Sequence, residues 1–377
     1  MNTIPDHEPS ARFFDTRAAY TMFVTATDEK ARVAERLGDQ ADMIEVTPPG
    51  LRLFDAGMGD ASVLSHLMRR LHRNLPHIPW LVVAKEISIE DVRQALAKLP
   101  DRLVEHPETV FVVTNMRFSE APGLEPPDGQ ATLIWRDVPL DGDTSLDFTE
   151  QIRGILPGLT DDWQVKTSPV SGNPVYVRPA VVVLYRRDRE FLLRSMIPKP
   201  GKVDGRYDLI VAAQSYRART PVATKVANVL VPLARALAPG GRMVGIHSYG
   251  NDPGLEITCG VWPQERPFPH RRAEILSEAR RQLNAPGDSS LEFPNLSDEE
   301  SLFSYRLHTM PSDETEHIGT STLVAAFTAA AYVAQIDEAR LSTAMSSGTY
   351  LEATRQVIDR HGAVWFNDEM YLITRRG

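Results

Sequence analysis

Leu51 to Arg73 reads LRLFDAGMGDASVLSHLMRRLHR, and its apolar pattern changes period at the glycines. Leu51, Leu53 and Phe54 read as a strand, Asp55, Gly57 and Gly59 as a turn, and Val63, Leu64, Leu67, Met68 and Leu71 as one face of a helix. Glycine suits such a turn because the backbone bends sharply and a ligand can approach where no Cβ stands. The free N–H groups of the following helix face the same space. An ordinary βα connection has the same outline, so the neighbouring stretches decide what this one means.

Two more units of that kind follow. Trp80 to Ala84 is a short apolar strand ending in Lys85 and Glu86, and Ser88 with Asp91 resembles a helix-opening capping box before Val92, Leu96 and Leu99. Thr109 to Thr114 is a third strand, with Asn115 at its end. Strands alternating with amphipathic helices predict an α/β fold with a doubly wound, mostly parallel sheet, and ligands at the carboxyl ends of its strands.

The rhythm changes from Arg117 to Arg206, where Pro and Gly are frequent and no compact helix is evident. Strand-like runs at Thr132–Val138, Val175–Tyr185 and Phe191–Ile197, with a hairpin turn near Arg186–Arg189, predict a β-rich insertion over about 117–206. The main fold resumes with a strand at Tyr207–Ala213, a helix at Val222–Leu237 closed by Pro239, Gly240 and Gly241, and a strand at Met243–His247. Helices near His270–Leu283, from Ser321, and over Tyr350–His361 are joined by strands at Leu302–His308 and Ala363–Thr374. The expected organisation is an N-terminal helical cap over 1–48, a cofactor-binding core over 49–264, and C-terminal helices with the last strands over 265–377.

Composition bounds the function. The 377 residues carry 41 Lys and Arg against 50 Asp and Glu, a formal net charge of -9 that argues against a nucleic-acid partner and for a small-molecule substrate. With Cys259 alone there is no intrachain disulfide, and with no secretory leader or long apolar run the chain reads as cytoplasmic, with no membrane association. No zinc, calcium or P-loop pattern is present, so no metal is expected. The oligomeric state is not fixed, and a homodimer stays open.

Taken in order, Asp55-x-Gly57-x-Gly59, the acidic Glu86, the polar Asn115, Tyr207-Asp208-Leu209-Ile210 and Leu237-Ala238-Pro239-Gly240-Gly241-Arg242 resemble the class I S-adenosylmethionine-dependent methyltransferases. The resemblance spans roughly Leu51 to Tyr249 and implies a Rossmann-like core, S-adenosyl-L-methionine as cofactor, and a methyltransferase enzyme. It implies that Asp55, Gly57 and Gly59 underlie the methionyl part, that Glu86 takes the ribose hydroxyls, that Ile87 packs on the adenine, and that Asn115 with Thr114 meets the adenine edge. Asp60 stands where the family often has a small residue, as helix cap or as partner of the cofactor's amine. Tyr20 resembles an aromatic residue folded over the cofactor, and a core tyrosine is the alternative.

Gln214-Ser215-Tyr216 occupies the place of an Asn/Asp-Pro-Pro-aromatic motif but lacks both prolines, which points towards nitrogen methylation with Gln214 and Tyr216 at the acceptor. His247, at a strand end, is the best-placed candidate base, with His308 and His317 weaker; a structural histidine is the plainer reading of each. Three other classes stay open: a nicotinamide-dependent oxidoreductase, an aminopropyl transferase and a non-catalytic cofactor-binding module. Ser62, three positions after Gly59, breaks the usual G-x-G-x-x-G spacing and disfavours the first.

Overall fold

In the computed structural model the residues described are 17–127, 132–169, 172–308 and 319–377. The three sequence units form as expected, because each β run is apolar on both faces and each helix carries one apolar stripe. In chain order these are α1 (Arg17–Ala26), α2 (Glu29–Ala41), β1 (Leu51–Asp55), α3 (Ser62–Asn74), β2 (Trp80–Lys85), α4 (Ile89–Glu105) and β3 (Thr109–Thr114). The Ser88 side chain accepts from Asp91 N–H and starts α4 as the capping pattern predicts.

The insertion departs from expectation. It holds β4 (Ile134–Leu140), α5 (Ser145–Asp162), β5 (Val165–Thr167), β6 (Pro174–Tyr176), β7 (Ala180–Arg186) and the short α6 (Glu190–Leu193). The helix α5 was hidden by Gly154, Pro157 and Gly158, yet it opens with a full capping box between Thr144 and Asp147. The run from Phe191, read above as a strand, is helical at its start, and the 186–189 turn leads into that helix instead of closing a hairpin. The true hairpin is β5 with β6, while β7 joins the main sheet antiparallel to β3 and carries β4 on its far side.

Beyond it come β8 (Tyr207–Ala213), α7 (Val222–Lys225), a π-helical turn, α8 (Val231–Arg235) and β9 (Leu237–Ser248). Pro239, Gly240 and Gly241 lie inside β9 and do not simply close a helix: pairing runs Tyr207 with Leu237, then Leu209 with Arg242, so residues 238–241 bulge out. A Cβ on Gly241 would stand 2.8 Å from both Ala238 O and Tyr207 O, which restricts that position to glycine. The chain ends with α9 (Pro253–Val261), α10 (Arg272–Gln282), β10 (Leu291–Glu292), α11 (Asp298–Ser301), β11 (Leu302–Arg306), α12 (Thr320–Val333), α13 (Glu338–Ser347), α14 (Thr349–His361) and β12 (Trp365–Arg375).

The main sheet has the order β10-β12-β9-β8-β1-β2-β3-β7-β4, with β11 also paired to β12. Strands β3, β2, β1, β8 and β9 are parallel and β12 is antiparallel to β9, which makes a Rossmann-like doubly wound sheet. One core lies between the sheet and α2 to α5, a second between the other face and α7, α8 and α10. A third joins α1, α9, α12 and α14 around Phe23, Tyr305, Phe327 and Phe366. Thus α1 packs with the C-terminal helices and α2 on the sheet beside α3, rather than as one separate cap. Among the described residues no helix is long and apolar enough to cross a membrane.

Candidate functional site

At the carboxyl end of β1 the chain turns through Ala56–Ala61 into α3, and two carboxylates organise the turn. Gly57 N–H donates to Asp55 Oδ1 at 3.0 Å, and Gly59 N–H donates to Glu86 Oε2 at 2.9 Å. The other oxygen of Glu86 accepts from Ile87 and Ser88 N–H at 2.7 and 2.9 Å. A carboxylate has roughly four acceptor positions, so Glu86 keeps one on Oε2. Burial pushes the Glu86 carboxyl up, partly offset by Lys85 and these N–H groups. Burial also pushes Asp55 up to about 7, against the pull of Gly57 N–H.

Asp60 bonds the first residue of α3 and pairs with a lysine of the chain itself. Its carboxylate accepts from Ser62 N–H at 3.1 Å and Ser62 Oγ at 2.6 Å, and it receives the Tyr20 hydroxyl at 3.2 Å and Lys98 Nζ at 2.7 Å. The Lys98 and Ser62 bonds outweigh burial and hold Asp60 down at about 2. Ala61 behind it takes a left-handed φ of 60°, where glycine would be relaxed. Tyr20 is therefore at the turn, its hydroxyl 3.5 Å from where a Cβ on Gly59 would stand.

Gly57 is open in the same sense. The nearest atom to a Cβ there is Ser215 Oγ at 3.7 Å, and that buried hydroxyl has no hydrogen-bond partner among the described residues. The turn after β1 and the turn after β8 thus approach each other at Gly57 and Ser215. Gln214 begins the second turn at φ 50°, a left-handed conformation. Its Nε2 donates to Ser248 Oγ at 3.2 Å and to Asp368 Oδ2 at 3.3 Å.

Other residues singled out in the sequence have different surroundings. Asn115 donates to Arg178 O and accepts from Ala180 N–H, and the Thr114 hydroxyl donates to Ala180 O, so both side chains clasp the start of β7. Ile87 is half-buried beside Glu86. Tyr216 turns to the second core, its hydroxyl 2.8 Å from that of Tyr371 and its ring under Lys225 Nζ. His247 lies on that face too, edge-on to both tyrosine rings, with Nε2 2.8 Å from Glu369 Oε1.

The reading of His247 as a base at the strand mouth is corrected accordingly. Burial pushes its imidazole down, while the hydrogen bond from His247 and the N–H and guanidinium of Arg272 hold Glu369 below its ordinary range against burial. It is the inner member of a buried polar pair. A 280 Å³ cavity nearby, lined by Tyr249, Arg271, Arg272, Glu369 and Tyr371 among others, shares no lining residue with the glycine turn. His308 is exposed after β11, and His317 lies outside the described residues.

Sequence reasoning missed four contributors. Lys98 reaches Asp60 from the middle of α4, and Trp163, capping α5, donates its indole N–H to Glu86 O at 3.0 Å. Glu29 and Lys30, at the start of α2, meet at 2.9 Å; burial lowers the Lys30 ammonium, but the charge and hydrogen bond of Glu29 together with Asp60 and Asp368 raise it overall. The indole of Trp163 was the readable signal, since a buried Trp needs an acceptor.

No family model matches the chain, and no curated protein matches it. Among solved structures it is similar to a loganic acid methyltransferase with SAH, at 10% identity and TM-score 0.37, covering 100% of this chain and 99% of that one. It is also similar to a geranyl diphosphate methyltransferase in complex with SAM, at 12% identity and TM-score 0.34, covering 92% and 85% of the two chains. A mycolic acid cyclopropane synthase aligns at 10% identity and TM-score 0.34, covering 99% and 96%. Identities this low and TM-scores below 0.5 leave cofactor and substrate to the chain's own residues.

Proposed function

We propose that the chain is an S-adenosyl-L-methionine-dependent methyltransferase acting on a small molecule, at nitrogen. The observation that carries this is the bond from Gly59 N–H to Glu86 Oε2, which joins the glycine turn of β1 and the acidic end of β2 into one site. The residues fit the cofactor. Gly57 and Gly59 leave room where Cβ atoms would stand, Ser215 Oγ lacks a partner there, and Glu86 Oε2 has capacity for a ribose hydroxyl.

In this reading the cofactor, when bound, supplies an activated methyl group on a sulfonium. The protein's part is to position and to exclude water. Tyr20, held by Asp60, covers the turn, and Trp163 closes the side next to Glu86. Asp60 keeps an ionised carboxylate at the turn, paired with Lys98. Asn115 and Thr114 contribute indirectly, by fixing β7 against β3. Nitrogen as the acceptor atom is favoured by the amide and carboxylate pairing of Gln214 with Asp368, next to Ser215.

Incubation with methyl-tritiated S-adenosylmethionine and a panel of amines, alcohols and carboxylic acids tests the reading. Label is expected in amines. Label only in carboxylic acids or alcohols would retain the cofactor and remove the nitrogen assignment.

A further inference from the structure

Asp368 sits in β12 opposite Ser248 of β9, and β12 runs antiparallel, so this residue reaches the carboxyl edge of the parallel strands. Its side chain is wholly buried, at 0% exposure. One oxygen, Oδ2, takes the Gln214 amide, and Ser248 Oγ accepts from the same amide, so a three-residue cluster fixes the carboxyl group. The other oxygen, Oδ1, has no hydrogen-bond partner among the described residues. A buried acceptor left unmet keeps its desolvation cost uncompensated, the more so when charged. Gln214 holds its part of the cluster in a left-handed conformation, another local cost of the kind concentrated at functional sites.

The charged groups around Asp368 define what would fit it. From α2 come Glu29 and Lys30, from the turn before α9 comes Asp252, and from β11 comes the Tyr305 phenol. Glu29 is 5% exposed, and its Oε2 meets Lys30 as an ion pair without an aligned hydrogen bond. Three carboxyl groups crowd one ammonium, and burial pushes Asp252 up to about 6. Burial, then repulsion from Glu29, push Asp368 well above the usual carboxylate range, with Gln214 and Ser248 opposing. Lys30 links this cluster to the glycine turn, since it feels Asp60 on one side and Asp368 on the other.

We infer that Asp368 Oδ1 is the group that binds the acceptor, which is a protonated amine, and that it takes the amine's proton before methyl transfer. This rests on the methyltransferase reading for its second half. An ammonium has no lone pair and cannot attack. Its proton passes to Oδ1, leaving a neutral amine. The nitrogen lone pair then forms the N–C bond as the S–C bond of the sulfonium breaks, and that electron pair stays on sulfur. Gln214 and Ser248 act as positioning residues by holding the second oxygen. Alcohols and carboxylic acids of the same size bring no positive charge and gain no such contact.

Thermal melts of the full chain at pH 7 test this with propylamine and benzylamine against propanol, benzyl alcohol and propionate, each with and without S-adenosylhomocysteine. Amines are expected to raise the Tm and the controls not. In Asp368→Asn the amine concentration for half the shift should rise at least tenfold, with S-adenosylhomocysteine affinity unchanged. Should that variant fail to fold, the wild-type amine shift should weaken with falling pH as Asp368 protonates, and Ser248→Ala should reduce it without abolishing it. Amines that fail to shift the wild type while S-adenosylhomocysteine does, or that shift Asp368→Asn equally, overturn the inference. Amine binding without any response to S-adenosylhomocysteine upholds the amine site and sinks the methyltransferase reading.

Discussion

Lys98 Nζ lies 2.7 Å from Asp60 Oδ2 and 2.5 Å from Asp60 O, so a lysine on α4 fastens the turn that begins α3. Asp60 is depressed to about 2, so its contribution to stability is present above the ordinary Asp value and lost as pH falls through about 2. Lys98→Met should lower stability by about 1 kcal/mol, the partly exposed ammonium being screened by water. Urea denaturation at pH 7 measures the loss, and its shrinking towards pH 2 identifies Asp60 as the partner.

Gly57→Ala separates folding from binding. A Cβ there meets nothing closer than 3.7 Å, so the Tm should move by no more than about 1–2 °C. The same methyl stands where the cofactor reading brings the ligand against the backbone, and S-adenosylhomocysteine affinity should fall more than tenfold. Equal affinity in the variant would remove Gly57 from the cofactor site.

His247→Gln addresses the buried pair. Exchanging the imidazole for an amide at this buried carboxylate should cost about 1–2 kcal/mol, seen in chemical denaturation. Once folded, the variant should keep its pH–rate profile, because the side chain faces Tyr216 and Tyr371 in the second core. Loss of a titration step from that profile would restore His247 as the base.

At the opposite end of the sheet His106 stacks on Trp80 at 3.4 Å, accepts or donates at Nδ1 with His72 Nδ1 at 3.0 Å, and must donate from Nε2 to Ile78 O at 2.9 Å. Burial depresses it to about 4, helped by the neighbouring His72 and His77. A depressed histidine contributes stability that is complete above 6.5 and is lost as pH falls through about 4, on the order of 3 kcal/mol. Urea midpoints between pH 7 and 4 should fall in the wild type and flatten in His106→Phe. An identical slope in both would assign the acid sensitivity elsewhere.

What the sequence disclosed follows from how local each signal is. The strands and helices of Leu51–Thr114 were legible because their periodicity is carried by consecutive residues, and Tyr207–Ala213 for the same reason. α5 was not, since Gly154, Pro157 and Gly158 read as loop residues, while packing on α4 and the Thr144 cap decide otherwise. The bulge at Ala238–Gly241 was read as a helix end because the same residues serve either purpose. Tyr20 with Asp60, and Gly59 with Glu86, were named from motif order and meet at the turn. Asp368 and Lys98 were invisible: one sits among polar neighbours Asn367 and Glu369 in the last strand and the other on a partly solvated helix face, and only the tertiary fold brings them to the site.

The most direct measurement is calorimetric titration of the full chain with S-adenosylmethionine, S-adenosylhomocysteine and NAD, repeated on Glu86→Gln, which keeps the size of the side chain. The account predicts that both adenosyl ligands bind, that NAD does not, and that the variant loses at least tenfold in affinity as one ribose acceptor is replaced. Binding of NAD alone, or adenosyl binding indifferent to Glu86, would contradict it.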